Sequence, residues 1–238
     1  MIKYFCTKII RRRNAAFAFD TAVGSADLLW LMFDFIWAWL RSIKLLLRFK
    51  LPGLWFLGRA TKLRGVHQLQ MGRFVKLGDY VHINAISKEG IVIGNNTGIG
   101  AHSALMASGT LTSVGKGIKI GNNVGIGEFA YLGGAGGLEI GDECIIGQYL
   151  SCHPENHNYT NLSLAIRHQG VSRQGIKIGN NCWIGAKVTI LDGVTIGSNC
   201  VIAAGAVVTK SMPSDVIIAG VPARVIREIA ASDKATAA

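Results

Sequence analysis

The sequence is short of charge, short of proline and without any CxxC pair: charged residues make up 16%, prolines number four, and the five cysteines stand apart. Scarce charge excludes a disordered chain, because half of the 238 residues are hydrophobic and able to bury a core. An odd set of scattered cysteines (Cys6, Cys144, Cys152, Cys182, Cys200) argues against a disulfide framework and a cysteine zinc site, and points to a reducing compartment. Acids are scarcest where basic residues are densest. Through Lys76 only Asp20, Asp27 and Asp34 face fourteen Lys and Arg, while the remainder holds eleven of each sign. The whole formal net charge of +11 therefore lies in the first third. Glycine is plentiful, at thirty residues without a G-X-Y period. That excludes collagen and marks many tight corners in a β-rich structure.

The basic start (Lys3, Lys8, Arg11, Arg12, Arg13) runs into an apolar stretch cut by Asp20, with no small-residue cleavage site. No cleavable signal is expected, the Arg11-Arg12 pair only mimics a twin-arginine signal, and a cytoplasmic location follows. From about Asp20 to Arg48 the composition is Leu, Trp, Phe, Ile and Ala, with polar residues every seven positions at Asp20, Asp27, Asp34, Arg41 and Arg48. Seven residues are nearly two helical turns, so these side chains, joined by Lys44, form one stripe on a greasy helix. Residues 28–51 as a helix would be roughly 36 Å long. The regular stripe with Asp34 at its centre favours lying in a membrane interface over spanning it. Trp30, Trp37, Trp39 and Trp55 prefer that depth, and Arg41, Lys44, Arg48, Lys50, Arg59, Lys62 and Arg64 suit anionic headgroups. The alternative is packing on the rest of the protein or on its copies. Nucleic acid is not an expected partner, because these cations are interleaved with far more apolar surface than a phosphate groove needs.

Beyond residue 76 the sequence repeats. Aliphatic residues recur every six positions at Ile93, Ile99 and Leu105, at Ile120, Ile126 and Leu132, and at Ile140 and Ile146. The longest unbroken series is Ile178, Ile184, Ile190, Ile196, Ile202 and Val208. Gly usually follows at once, and a small or aliphatic residue stands four places on, as at Thr97, Val124, Cys144, Cys182 and Cys200. A period of six fits neither an amphipathic helix nor an alternating strand. It fits a short strand and a corner repeated around a prism, with Gly94-Asn95-Asn96, Gly121-Asn122-Asn123 and Gly179-Asn180-Asn181 at corners of positive φ. Each turn then stacks on the next at about 4.8 Å, and Cys144, Cys182 and Cys200 stack as core fillers.

Over roughly residues 75–229 this pattern resembles the hexapeptide-repeat acyltransferases. The resemblance implies an all-β solenoid, a left-handed parallel β-helix of three hexads per coil, which departs from the right-handed crossover rule. It also implies a homotrimer with active sites between subunits. The expected organisation is an N-terminal basic, apolar helical region at 1–60, a β-helix at 61–225 with an inserted loop near 153–176, and a short C-terminal helix and tail at 226–238. Architecture alone does not set chemistry, so the site is argued separately.

The repeat breaks between Cys152 and Ile178, 26 residues that read as one 18-residue coil plus about eight more. His153, His157 and His168 fall there beside Glu155. Acyl transfer from a thioester needs a base near neutral pKa to take the acceptor's hydroxyl proton, which a histidine provides. In sugar O-acetyltransferases of the maltose/galactoside type, the resemblance puts that base eleven residues after the aliphatic residue of the last regular hexad. Counted from Ile146, this is His157. His153 is the alternative, in a Cys-His-Pro context similar to the Gly-His-Pro of the galactoside enzyme. Glu155 or a backbone oxygen would hold the base's tautomer. His67, His82 and His102 read as surface or packing residues, and His168 is undecided. The acceptor-contacting Asn of the galactoside-type enzymes, one coil before the base, corresponds to Gly127 here, so a maltose- or galactoside-like acceptor is not supported.

Residues 180–186, 203–210 and 219–227 resemble the C-terminal signature of acetyl-CoA-dependent members. Carried over, Trp183 flanks the reacting end of acetyl-CoA, and Gly185, Ala186 and Ala204 leave room for pantetheine along the coils. Thr209, Lys210 and Arg224 complete the set, the two cations meeting phosphates. No metal is expected. These readings converge on an O-acetyltransferase acting on a sugar hydroxyl, such as a lipid-linked sugar of a bacterial exopolysaccharide, capsule or O-antigen. It would be peripheral on the inner membrane through residues 20–64. Rival readings are an N-acetyltransferase on an amino sugar, a γ-type carbonic anhydrase with His102, His153 and His157 drawn from adjacent subunits, and a non-catalytic trimeric scaffold.

Overall fold

The computed structural model describes residues 2–11, 17–48, 53–110 and 112–229. Strands mostly of two or three residues stack in parallel into three sheets, of nine, seven and six strands among the described residues, the ninth strand of the first being an antiparallel addition at its end. The result is a left-handed parallel β-helix. Register follows the hexads. On the nine-stranded face Ile99, Ile126, Ile146, Ile184 and Ile202 lie one above another. On the seven-stranded face the inward column runs Leu105, Leu132, Cys152, Ile190 and Val208. Every one of these side chains is buried, so the core is a set of aliphatic columns running the length of the prism.

The cysteines are part of that core. The Cys144, Cys182 and Cys200 thiols donate to carbonyls of the next coil, at Gly179, Gly197 and Pro213 (3.2–3.3 Å). Thr97, in the same place in its own coil, donates to Gly121 O. Cys152 is fully enclosed, and desolvation pushes its thiol up to about 12, which leaves it protonated and inert.

Three expectations about the ends need correction. The solenoid begins at Trp55–Leu57, ahead of the boundary expected at 61, and that strand pairs with Val75–Leu77. Trp55 is therefore a core residue, 5% exposed with its indole N–H donating to Gly72 O, and it is not available to a membrane interface. Ala223–Glu228 forms a strand antiparallel to Val216–Gly220, so no helix begins at 226; β-branched Val225 and Ile226 suit that pairing at the end of the sheet. Residues 230–238, where the rest of that helix was expected, lie outside the described residues, as do Arg12, Arg13, Lys50 and Leu51.

The N-terminal region holds helix α1 (Ile2–Arg11) and helix α2 (Ser25–Ser42), followed by a 3-10 turn at Ile43–Arg48. α2 starts at Gly24, whose N–H is capped by Asp27, so Asp20 lies outside it. Its eighteen residues reach about 27 Å, and no helix among the described residues is long and apolar enough to cross a membrane. Of the polar stripe, Asp27 caps the helix, while Asp34 and Arg41 line the groove against the coil. Arg41 donates to Leu57 O (2.7 Å) and Lys44 to Thr61 O (3.4 Å), while Phe35 meets Phe56 edge-on. Arg41 and Lys44 thus anchor the helix to the solenoid and do not point at headgroups from its outer side. The greasy side is left outward: Leu29, Trp30, Met32, Phe33 and Ile36 are exposed, Trp30 by 70%.

Candidate active site

His153 ends the strand Ser151–His153 on the seven-stranded face. Because Cys152 fills the inward column, alternation turns Ser151 and His153 outward. The His153 Nε2 lies 2.7 Å from Ser151 Oγ, and its ring stacks on Tyr131 of the preceding coil, centroids 5.4 Å apart. A hydrogen bond at one nitrogen and an aromatic wall on one face hold this imidazole in place on a regular strand.

The count of eleven from Ile146 leads past this strand to His157. The hexads continue for one strand beyond Ile146, with a cysteine, Cys152, as the inward residue. The insertion is larger than the spacing suggested. Ile145 pairs with Trp183, 38 positions later, so this coil carries twenty residues beyond eighteen. A second, smaller excursion between Met106 and Ile118 leaves the same edge of the prism, where the aliphatic spacing widens from six to fifteen between Leu105 and Ile120.

His157 belongs to the insertion. With Asn156 it pairs antiparallel with Val171–Ser172 in a small hairpin, where its side chain is exposed. Among the described residues Glu155 is paired with an arginine, not with a histidine. Its Oε2 accepts from Arg173 Nε at 2.6 Å, and Arg173 also donates to the Ser113 hydroxyl and carbonyl, tying the insertion to the 107–117 loop. Asp192 secures the insertion's return, accepting from the backbone N–H groups of Gln174 and Gly175. Neither Arg173 nor Asp192 stands out in the sequence, because each acts across loops that only the fold brings together. Arg173→Ala is expected to open the hairpin by about 1 kcal/mol, seen as roughly fivefold faster amide exchange at 156–172 with the unfolding midpoint of the coils unmoved. Unchanged exchange would show that the clasp does not hold the loop.

The remaining histidines have packing roles or no site. His102 is stacked between Tyr80 and Phe129, 4.9 Å from each, in a column that continues to Tyr149. His82 lies under Lys62 and Arg64, and burial with those cations lowers its pKa. His168 ends a short 3-10 turn in the insertion. No group of three or more His, Cys, Asp or Glu among the described residues is arranged to hold a metal ion.

The donor candidates line a different part of the surface. Trp183 stands on the nine-stranded face, 60% exposed, between the outward Ile145 and Val201 of the adjoining coils. Gly185 turns the corner beneath it, where a Cβ would lie 2.5 Å from Ala204 N; coil packing alone demands glycine there. Ala186 is half-buried and Ala204 exposed, and the next corner is closed by Gly205 N–H donating to Ala186 O. Thr209 and Lys210 are exposed after the strand Val207–Val208, and Arg224 is exposed on the terminal hairpin. Within one chain, then, His153 and Trp183 occupy adjacent faces across the corner at 185–187. The position one coil before His153 is Gly133, not Gly127, and Pro154 covers it closely enough to leave no room for an asparagine side chain.

Residues 175–210 match the model of a family described as bacterial transferase hexapeptide (six repeats). A probable acetyltransferase of Mycobacterium tuberculosis is 30% identical over 203 residues, 81% of this chain and 58% of that protein. Galactoside O-acetyltransferase of Escherichia coli is 38% identical over 102 residues, 41% of this chain and 47% of that protein. The chain thus spans about half the length of these curated relatives. Among solved structures, AntD, an N-acyltransferase from Bacillus cereus in complex with dTDP and coenzyme A, superposes with a TM-score of 0.58 over 76% of this chain and 90% of its own. At 21% identity that likeness is one of fold.

Proposed function

The chain belongs to the hexapeptide-repeat transferases, and from that premise we propose that it moves an acetyl group from acetyl-CoA to a sugar hydroxyl. The observation that carries the reading is His153: an outward imidazole, positioned by Ser151 and Tyr131, on a rigid strand at the root of the insertion. That placement favours His153 over His157 as the base, since a reacting group on a regular strand keeps its geometry better than one on an exposed hairpin. His153 takes the acceptor's proton as its oxygen attacks the thioester carbonyl; the C–S bond then breaks, and the imidazolium returns the proton to the leaving thiolate. Trp183, Gly185, Ala186, Ala204, Thr209, Lys210 and Arg224 hold acetyl-CoA. His157 and Glu155 shape the acceptor side, Glu155 through Arg173.

His153 and Trp183 on separate faces support a homotrimer in which one subunit's His153 meets its neighbour's Trp183 surface. The insertion carries exposed Tyr159, Leu162, Leu164 and Ile166, Leu162 by 97%, an apolar arm suited to a neighbouring subunit. The outward apolar side of α2 supports peripheral attachment to the inner membrane, and with it a lipid-linked sugar of a cell-surface polysaccharide as acceptor. The test is release of free CoA thiol from acetyl-CoA with a panel of sugar and amino-sugar acceptors. The expected result is hydroxyl-dependent release, with Lys210→Ala raising the KM for acetyl-CoA about fivefold. Absence of acetyl-CoA binding by calorimetry would leave a non-catalytic scaffold.

A further inference from the structure

We infer that the groove between α2 and the first coils binds a phosphate ester of a long hydrocarbon chain. A cavity of about 450 Å³ lies there, within the range of small-molecule sites. One wall is Leu31, Phe35 and Trp37 of α2, and the other is Phe56 and Leu77 of the solenoid. Three cations line it, Arg41, Arg59 and Lys76, against two carboxylates, Asp34 and Asp79. Asp79 is engaged by the backbone N–H of Arg59 at 2.7 Å, Arg41 reaches Leu57 O, and the Lys76 ammonium sits 5.3 Å over the Phe35 ring. None of the three cations is in an ion pair among the described residues. An aromatic slot with unpaired cations matches an apolar chain ending in an anion.

The orientation of α2 supplies the second argument, and here the inference rests on the membrane reading. With Trp30, Met32 and Ile36 outward into the acyl boundary, the polar side of the helix and the groove beneath it come to the depth of lipid phosphates. Arg59 and Lys76 then hold the phosphate, and Phe35, Phe56 and Trp37 receive the chain. A bilayer phospholipid and a lipid-linked sugar acceptor share this chemistry.

The full-length protein is titrated by calorimetry with dihexanoyl phosphatidylglycerol and with geranyl phosphate, each below its micelle concentration. Saturable binding is expected, weakened about thirtyfold in the Arg59→Gln/Lys76→Gln double variant. The tighter of the two ligands identifies the source, a bilayer lipid or a lipid-linked acceptor. Unchanged affinity in the double variant overturns the assignment, as does equal binding of octyl glucoside, which lacks the phosphate. A change of oligomeric state in the double variant by light scattering overturns it in favour of a second copy of this chain. Pelleting with phosphatidylglycerol vesicles separates the two readings. Monomer binding without pelleting upholds the groove and removes the membrane reading; pelleting without monomer binding does the reverse.

Discussion

His153→Ala is expected to lower kcat for acetyl transfer by about 10²–10⁴-fold while leaving the KM for acetyl-CoA within about twofold. The split follows from geometry. His153 lies on the seven-stranded face beside Ser151 and Tyr131, whereas Trp183, at the centre of the proposed donor surface, stands on the adjacent face. Removing the imidazole takes away proton transfer and leaves the donor surface intact. His157→Ala should lower kcat by less than about tenfold, because that side chain stands on an exposed hairpin and not on the regular strand. Steady-state kinetics on both variants decides the assignment. If His157→Ala alone abolishes transfer, the base sits on the loop and the rigid-strand argument is wrong.

The second large effect concerns the columns. Ile184→Ala should destabilise the solenoid by about 2–5 kcal/mol and lower the unfolding midpoint by about 10 °C. Ile184 is fully buried between Ile146 and Ile202, so the missing atoms leave a void facing two coils at once. It also follows Trp183 directly, so slackening this coil should weaken acetyl-CoA binding as well. Ile145 is the control: it borders the same strand pair but points outward, 67% exposed, and Ile145→Ala should cost less than about 0.5 kcal/mol. Thermal unfolding followed by circular dichroism compares the two. Equal losses would mean that the inward column does not carry the stability.

How far the site was legible depended on which residue filled each inward slot. Where Ile, Leu or Val occupies it, period six reveals the strand, and Ile178 to Val208 read without a break. At Cys152 the slot holds a sulfur, so the aliphatic pattern does not mark the strand that carries His153. Trp55 was misplaced for a related reason. A tryptophan beside a basic, greasy segment looks like an interface residue, and only its pairing with Val75 and its bond to Gly72 reveal a core position. The clasp of Glu155, Arg173 and Ser113 spans 60 residues of sequence, so no local pattern contains it.

Composition and spacing by themselves determined a neutral, glycine-cornered solenoid joined to a basic, apolar N-terminal region, because in and out alternate at a fixed period along the chain. They also determined a polar stripe on the N-terminal helix, since a seven-residue spacing puts side chains on one side. Which way that stripe turns was decided only in the folded molecule. Arg41 and Lys44 reach backbone carbonyls of the first coil, at Leu57 and Thr61, and in doing so rotate the apolar side outward. Periodicity defines a face, but its orientation depends on partners distant in sequence, and the same dependence separates the histidine on the strand from the histidine on the loop.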